Sequence, residues 1–293
     1  MAGVDSLPEA IRDANNCQKD PIPGFDYSYG YRPSLAAGIV FGVLFGIAFF
    51  GHSLQTIRLR RWTSALLAIG ALIELIGWAG RTWSAECPYN RNAFLIQITT
   101  LIIGPVFFTA ALYVLLGMFI EALGRGYSIL SARMYTIVFM TCDTISLVVQ
   151  AVGGAMASMA SSNGDDTKLG TNIMVAGVIF QLVAMTIFTL FTLDFLRRSS
   201  KFGMPQEYNK IIVALFISLA AIFARSIFRA VELIEGWSGY LMMHEAYFIA
   251  LDGSLMVLAV VIFLPFDLAR TIPKVYRTVK KDSGELSEFS AGV

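Results

Sequence analysis

Charged residues are scarce in this sequence. They make up 15% of its 293 residues, whereas an average soluble domain has about 25%. Hydrophobic residues make up 56% of the chain, and its mean hydropathy is +0.65. A soluble globule of this size must still cover its surface with polar groups, so the composition excludes that class. It predicts an integral membrane protein.

Motifs that would indicate an enzyme or a nucleotide-driven pump are also missing. The sequence has no G-x-x-x-x-G-K-[ST] loop for a nucleotide and no G-x-S-x-G nucleophile elbow. Its two histidines, His52 and His244, cannot build a three-histidine zinc site. No basic face with stacking aromatic rings stands out, which argues against nucleic acid as a partner. We therefore expect no enzymatic activity, no metal and no cofactor.

The chain contains a series of long apolar runs. Each is long enough to cross a bilayer, which takes about 20 residues. The weakest holds Arg225, Arg229 and Glu232 in its second half, and six spans are the alternative if it does not cross. The expected fold is an all-α polytopic membrane protein with seven transmembrane helices. The predicted spans are 34–57, 62–83, 93–119, 134–158, 171–195, 209–232 and 245–266.

Lysine and arginine near the ends of these segments indicate the orientation. With seven spans, 14 of them lie on one side of the membrane and 5 on the other. The more basic side is cytoplasmic, which places the N-terminus outside and the C-terminus in the cytoplasm. Four rings before the first span suit the membrane interface: Phe25, Tyr27, Tyr29 and Tyr31. The predicted parts are an extracellular polar tail at 1–30, a transmembrane domain at 31–268 and a basic, disordered cytoplasmic tail at 269–293.

The three cysteines are too few for a disulfide scaffold. Cys17 and Cys87 both fall on the predicted outer side, in oxidising surroundings. We predict a disulfide between them that ties the N-terminal tail to the first outer loop. The alternative is two free thiols. Cys142 falls within the membrane and is interpreted as a small packing residue.

Polar side chains recur within the predicted spans, often seven residues apart and therefore on one helix face. Such groups cost several kcal/mol each in a bilayer, so they tend to face the bundle interior and to mark function. We expect most of them to line one polar cavity that opens toward the outside. The residues expected there are Glu74, Arg81, Gln97, Asp143, Gln150, Gln181, Arg225, Arg229, Glu232, Glu245 and Asp252.

The charge balance of this predicted cavity bears on its ligand. Apart from Glu245 at the rim, it holds four carboxylates and three guanidinium groups, so about one negative charge is in excess. A cationic amine headgroup suits that balance, while an inward arginine pair suits a carboxylate or a phosphate equally well. A purely structural role, in which ion pairs hold the helices together, is the alternative.

Several of these positions form spaced motifs: E-x-x-G-W-x-x-R at 74–81, D-x-x-S-x-x-x-Q at 143–150 and R-x-x-x-R-x-x-E at 225–232. With them, the sequence from Tyr31 to Pro265 resembles the fungal RTA-like proteins, also called the lipid-translocating exporter family. The resemblance implies seven spans and a role in export or tolerance of sphingoid long-chain bases, aminosterols and other toxic lipids. One branch of that family is linked to porphyrin and haem traffic. The family often ends its last helix with His-Pro-Gly, where this chain has Leu264, Pro265 and Phe266.

These observations together predict an exporter of amphipathic lipids in a fungal plasma membrane. Glu74, Glu232 and Asp252 would contact a cationic headgroup, and the two arginines of the sixth span would hold those carboxylates or bind an anionic group. A seven-helix lipid receptor and a porphyrin carrier with His52 or His244 as axial ligand are the alternatives. An intramembrane enzyme acting on lipids is a weaker one, since no nucleophile and base are paired.

Overall fold

The computed structural model describes residues 17–23, 27, 29–60, 62–123, 128–163, 165–200, 206–236 and 239–266. The described part of the chain is predominantly helical. The predicted N-terminal tail is therefore described only in part. The predicted cytoplasmic tail at 269–293 lies outside the described residues.

Six long helices account for most of the described chain. Each is long and apolar enough to cross a membrane, because its hydrophobic run exceeds the thickness of the bilayer core. They correspond to the first six predicted spans. The helices are α1 (Leu35–Leu59), α2 (Trp62–Glu86), α3 (Arg91–Leu123), α4 (Ala132–Asn163), α5 (Lys168–Ser200) and α6 (Gln206–Glu235).

The seventh predicted span is helical but irregular. A short helix α7 (Tyr240–Met243) ends at His244, whose backbone is extended. It is followed by α8 (Glu245–Phe248), a π-helical turn (Ile249–Gly253) and α9 (Ser254–Val261), with helical backbone angles at each junction. We call residues 245–261 the seventh segment. Because the π turn divides it, six spans stand in the described residues and the seventh remains a prediction.

The long helices direct their polar groups toward the bundle and expose apolar side chains on the outside, as lipid requires. On α6, exposed apolar side chains recur every three or four residues or at multiples of that spacing, so they form one stripe. These are Val213, Ile217, Ile227, Val231 and Ile234. The buried face of the same helix carries polar groups, including Ser218 and Arg225. Lipid cannot satisfy such groups, so they point into the bundle.

Glycines allow α4 and α5 to pack backbone against backbone. A Cβ atom added to Gly153 would lie 2.6 Å from the Met174 nitrogen and 2.7 Å from the Gly170 carbonyl oxygen. Neither distance leaves room for a side chain, so the two helix axes come closer than larger residues would permit. This contact sets the register between the polar residues of α4 and α5.

Aromatic rings fill the space between α1, α2 and the seventh segment. Phe41 and Trp78 stack with their ring centroids 4.2 Å apart. A Cβ atom on Gly253 would lie 2.7 Å from the Trp78 ring. The glycine at the end of the π turn therefore lets this turn approach the stacked pair. The packing brings the polar face of the seventh segment next to α6.

One end of the bundle carries Cys17 and Cys87, where α2 ends and α3 begins; we call it the disulfide end. Arg91, at the start of α3, donates to the Ser158 hydroxyl near the end of α4 at 2.7 Å. The junction of α4 and α5 therefore lies at the same end. The C-terminus of α6 and the start of the seventh segment also lie there, since the helices alternate in direction.

Candidate functional site

The structure joins Cys17 and Cys87 by a disulfide whose Cα atoms are 4.7 Å apart. Lys19 forms an ion pair with Glu86 beside it. Further along, the Ile22 amide donates to the Tyr89 hydroxyl at 2.8 Å. The N-terminal segment is thus fastened along the α2–α3 turn. The remaining cysteine of the chain, Cys142, is a partly buried free thiol.

Arg81 and Glu245 form an ion pair near the disulfide end. Arg81 Nη2 lies 2.7 Å from Glu245 Oε1 and donates to the Tyr31 hydroxyl at 2.9 Å. The guanidinium carbon lies 4.5 Å from the centre of the Phe248 ring, a favourable position for a cation over an aromatic face. The Ser34 amide, at the N-cap of α1, donates to the same Glu245 oxygen at 2.8 Å. This pair therefore links α1, α2 and the seventh segment to the N-terminal segment.

Tyr29 buries its hydroxyl group instead of facing the membrane interface. The hydroxyl donates to Gln97 Oε1 at 2.6 Å and lies 3.1 Å from the Ser84 hydroxyl. Since the tyrosine has a single proton to give, Ser84 donates to it. Burial raises the pKa of Tyr29 to about 12. The interface role predicted for this ring is wrong, because the disulfide and its neighbours fold the segment onto the bundle. Gln97 holds this tyrosine.

Five of the predicted residues form a central cluster between α2, α6 and the seventh segment. All five are buried, with exposed fractions between 1% and 7%. Its members are Glu74, Arg225, Arg229, Glu232 and Asp252.

Arg225 contacts two other elements within this cluster. Its Nε atom lies 2.5 Å from Asp252 Oδ1, and its Nη2 atom donates to the Leu101 carbonyl at 2.5 Å. The contact between Arg225 and Asp252 is an ion pair without a hydrogen bond, because the Nε–H group of Arg225 is not aligned with the Asp252 oxygen. Leu101 precedes Pro105 by four residues, and proline has no N–H to give to that carbonyl. Arg225 therefore supplies the donor that the proline removes from α3.

The other members of the cluster are arranged differently. Arg229 Nη1 donates to Glu232 Oε2 at 2.5 Å, one turn along the same helix. Glu74 packs against α3, where a Cβ atom on Gly104 would lie 2.7 Å from Glu74 Oε1. Within the described residues this oxygen has no hydrogen-bond partner. The cluster thus contains two paired carboxylates and one unpaired carboxyl group.

Gln150 and Gln181 form an amide pair between α4 and α5. Gln150 Nε2 donates to Gln181 Oε1 at 3.1 Å and to the Ser146 hydroxyl at 2.8 Å. Ser146 in turn donates to the Gly177 carbonyl at 2.6 Å. This chain of bonds is possible because the glycines of the two helices bring their backbones together. It fixes the orientation of both amides.

A cleft joins this amide pair to two arginines of the central cluster. Its volume is about 460 Å³, including the space at its open mouth, and its enclosed part has room for little more than a water molecule. The wall is polar at five residues and apolar at the other six. The lining residues are Ile98, Ile102, Gln150, Met174, Val178, Gln181, Arg225, Ser226, Arg229, Leu233 and Met242.

Asp143 stands apart from both groups. Its Oδ2 atom accepts hydrogen bonds from the Thr109 hydroxyl at 2.8 Å and the Tyr113 hydroxyl at 2.9 Å. Its Oδ1 atom has no hydrogen-bond partner among the described residues. The eleven predicted residues are therefore distributed over the central cluster, the amide pair, the Arg81–Glu245 pair with Gln97 nearby, and the separate Asp143.

The histidines are engaged elsewhere. His52 Nε2 donates to the Val260 carbonyl at 3.1 Å, while Nδ1 lies 3.1 Å from Gln55 Oε1. These contacts help to satisfy the backbone carbonyls at the end of the seventh segment. His244 Nδ1 lies 2.8 Å from the Tyr240 carbonyl, and the two rings are 4.0 Å apart. Within the described residues, no group of three His, Cys, Asp or Glu side chains is placed to hold a metal ion.

Sequence reasoning missed the partners that hold the charged groups. The Leu101 carbonyl was not predicted as an acceptor, although Pro105 four residues later is the signal that exposes it. Thr109 was also missed as a ligand of Asp143, because no spacing rule relates residues on two different helices. The hydroxyl contacts of Tyr29 had no sequence signal.

The family model described as RTA1 like protein matches residues 67–274. This range begins within α2 and runs through the seventh segment, and it contains both the central cluster and the cleft. The chain belongs to the RTA1-like family. Membership and the six apolar helices together show an integral multi-pass membrane protein.

Relatives from Saccharomyces cerevisiae carry more specific names. The sphingoid long-chain base transporter RSB1 is 31% identical over 270 residues, covering 79% of this chain and 71% of the relative. Protein RTA1 is 31% identical over 275 residues, covering 82% and 84%. Protoporphyrin uptake protein 1 is 28% identical over 276 residues, covering 80% and 90%. No solved structure matches the chain.

Proposed function

We propose that this protein moves amphipathic lipids across the membrane, with sphingoid long-chain bases as the substrate class. The observation that carries the proposal is the cleft, whose lining combines amide, hydroxyl and guanidinium groups with apolar side chains. Such a wall suits a molecule with a polar head and a hydrocarbon tail. The name of the relative RSB1 supports the substrate class.

The position of the cleft supports a role in translocation. It lies in the half of the bundle near the disulfide end, since Arg229 is six residues, about 9 Å along the helix, from the end of α6 at Glu235. The enclosed part is too small for a lipid headgroup. Binding therefore requires helices α3 to α6 to separate.

We further propose a bundle of seven spans with the disulfide end outside the cell. The seventh segment lies beside α6, where Asp252 contacts Arg225. A span there places the basic tail in the cytoplasm, in agreement with the positive-inside rule. A disulfide persists in oxidising surroundings, which also supports the outer placement of Cys17 and Cys87. The plasma membrane is the proposed location.

Ligation of haem iron by a histidine, as the porphyrin-carrier alternative requires, is less well supported by the site. The described lining of the cleft includes no histidine, and both ring nitrogens of His52 have contacts within the bundle. An axial bond from His52 to haem iron would require one of those contacts to break. The similarity to protoporphyrin uptake protein 1 therefore gives no support for an iron-ligating site in this chain.

The test is flux of a labelled sphingoid base across proteoliposomes that contain the full chain. We compare the wild type with Gln181→Leu, which removes a polar group from the cleft while Gln150 keeps its bond to Ser146. We expect flux to fall about two- to tenfold, the cost of one lost hydrogen bond. Arg198→Gln is the control, because Arg198 is half exposed and pairs with Asp194 away from the cleft.

The outcomes separate the hypotheses. Protein-dependent flux that falls in Gln181→Leu and persists in Arg198→Gln supports the proposed transporter. Saturable lipid binding without flux in the wild type would instead favour the receptor hypothesis. Equal flux in liposomes with and without protein, together with no binding, contradicts a lipid-handling role. Melting temperatures of the three proteins verify that each is folded.

A further inference from the structure

The central cluster contains one more acidic group than it has basic groups. Three carboxyl groups face two guanidinium groups, and all five side chains are buried. Asp252 contacts Arg225, and Glu232 contacts Arg229. A third ionised carboxylate would leave an uncompensated charge in a medium of low dielectric constant, at a cost of several kcal/mol. The cluster is therefore stable when one carboxyl group carries a proton.

Glu74 is the member that the geometry selects for this proton. Its Oε1 atom has no hydrogen-bond partner in the described part of the chain. It packs against the glycine that precedes Pro105 and not against a cation. Its exposed fraction is only 2%. The two other carboxyl groups already have guanidinium partners within 2.5 Å.

The charged neighbours of Glu74 come from two elements. Arg225 and Arg229 on α6 and Asp252 on the π turn lie within its electrostatic reach. Helix α3 has no ionisable residue between Arg91 and Tyr113. On α1 the ionisable residues are His52, which is bonded to the Val260 carbonyl, and Arg58 in the last turn. On α2 itself, Arg81 lies two turns away and is paired with Glu245.

We propose that Glu74 holds an exchangeable proton that couples lipid movement to a proton gradient. This inference rests on the proposed transport function. The step is a simple ionisation: the carboxylic acid releases H⁺ to water and becomes a carboxylate, and the cluster gains one negative charge. Arg225 would then face two carboxylates, Glu74 and Asp252, in place of one.

The coupling follows from the position of Arg225. This side chain lines the cleft, donates to the Leu101 carbonyl of α3 and contacts Asp252 of the seventh segment. A new negative charge at Glu74 changes which of these contacts is favourable. Because π turns are rare and often occur at functional sites, we take the turn that carries Asp252 as the element that responds.

Asp143 provides a matched comparison. It is also a buried intramembrane carboxyl group with one oxygen that lacks a partner among the described residues. Its other oxygen is held by the hydroxyl groups of Thr109 and Tyr113. It contacts neither an arginine nor the described lining of the cleft. Removal of its charge should therefore leave proton coupling intact.

The experiment uses the full chain in proteoliposomes with an internal pH-sensitive dye and a labelled sphingoid base. We impose a pH difference in either direction and subtract the values of protein-free liposomes, because the lipid amine itself titrates. With one proton per lipid, one unit of pH difference shifts the accumulation ratio about tenfold. We expect the flux of Glu74→Gln to lose this dependence, while Asp143→Asn retains it.

Infrared difference spectroscopy tests the proton without relying on transport. The wild type and Asp143→Asn should show the carbonyl band of a protonated carboxylic acid that Glu74→Gln lacks. Full pH dependence of flux in Glu74→Gln, or its loss in Asp143→Asn alone, overturns the proposal. Absence of wild-type flux contradicts the proposed function, whereas the infrared comparison still decides whether Glu74 is protonated.

Discussion

Replacement of Gly153 by alanine tests the close contact of α4 and α5 that orients the amide pair. The added Cβ atom would lie 2.6 Å from the Met174 nitrogen and 2.7 Å from the Gly170 oxygen, both backbone atoms. Neither can turn aside as a flexible side chain would. The two helices must therefore separate by about 0.8 Å to reach an ordinary contact distance of about 3.5 Å.

The expected cost combines two terms. Overpacking costs about 1–3 kcal/mol, and a gap of that width forfeits about a quarter to a half of the dispersion energy along the contact. Alanine returns about 1 kcal/mol through its higher helix propensity. Gly154 is the matched control, because a Cβ atom there would meet only the flexible Met174 side chain, at 3.6 Å. We expect Gly153→Ala to be less stable than Gly154→Ala by about 3 kcal/mol.

The assay is thermal unfolding of the purified variants in detergent, followed by tryptophan fluorescence. The expected difference corresponds to roughly 6–12 °C in Tm between the two variants. The shift should accompany reduced lipid flux in Gly153→Ala, because the bond between Gln150 and Gln181 depends on this spacing. Equal melting temperatures of the two alanine variants would refute the packing argument.

Three further predictions concern the disulfide end and the central cluster. Arg225→Met should destabilise the protein by about 3–5 kcal/mol, since it leaves Asp252 without its cation; adding Asp252→Leu should recover much of that loss in the same melting assay. The double change Cys17→Ser with Cys87→Ser should lower stability by up to about 4 kcal/mol, the chain-entropy value for a loop with a sequence separation of 70; a melting curve unaffected by reductant would contradict it. Because burial raises the pKa of Tyr29 to about 12, its neutral form stabilises the fold below the ordinary tyrosine value of about 10. That stability, on the order of 2–3 kcal/mol, should be lost as the pH rises from about 10 to about 12. Chemical denaturation across this range should show no such fall for Tyr29→Phe.

Much of the architecture could be predicted from the sequence. Six spans follow from local hydropathy, because the free energy of a helix in the bilayer is nearly a sum over its own residues. The family that the motifs indicated is also confirmed, since residues 67–274 match the model of the RTA1-like family. The seven-residue spacing of Arg225 and Glu232 placed them on one face of a helix, and the structure buries both.

The pairing of those residues could not be predicted. Spacing along one helix defines a face, but the partner of a side chain depends on how neighbouring helices rotate and cross. Sequence alone did not show that Arg81 pairs with Glu245, or that Arg225 reaches the carbonyl left free by Pro105. It also pointed to a single polar cavity. The sequence indicates how deep each polar residue lies in the membrane, but not which residues of other helices lie beside it.

The sequence by itself therefore determined which segments enter the membrane and which of their faces avoid lipid, since both depend on residues close together in the chain. Only the tertiary structure decided which charges neutralise one another and which remains alone. Glu74 is distinguished from Asp252 by the positions of Arg225 and Gly104, which come from two other helices. Electrostatic energy depends on distance in space, and the distances between helices are set by packing.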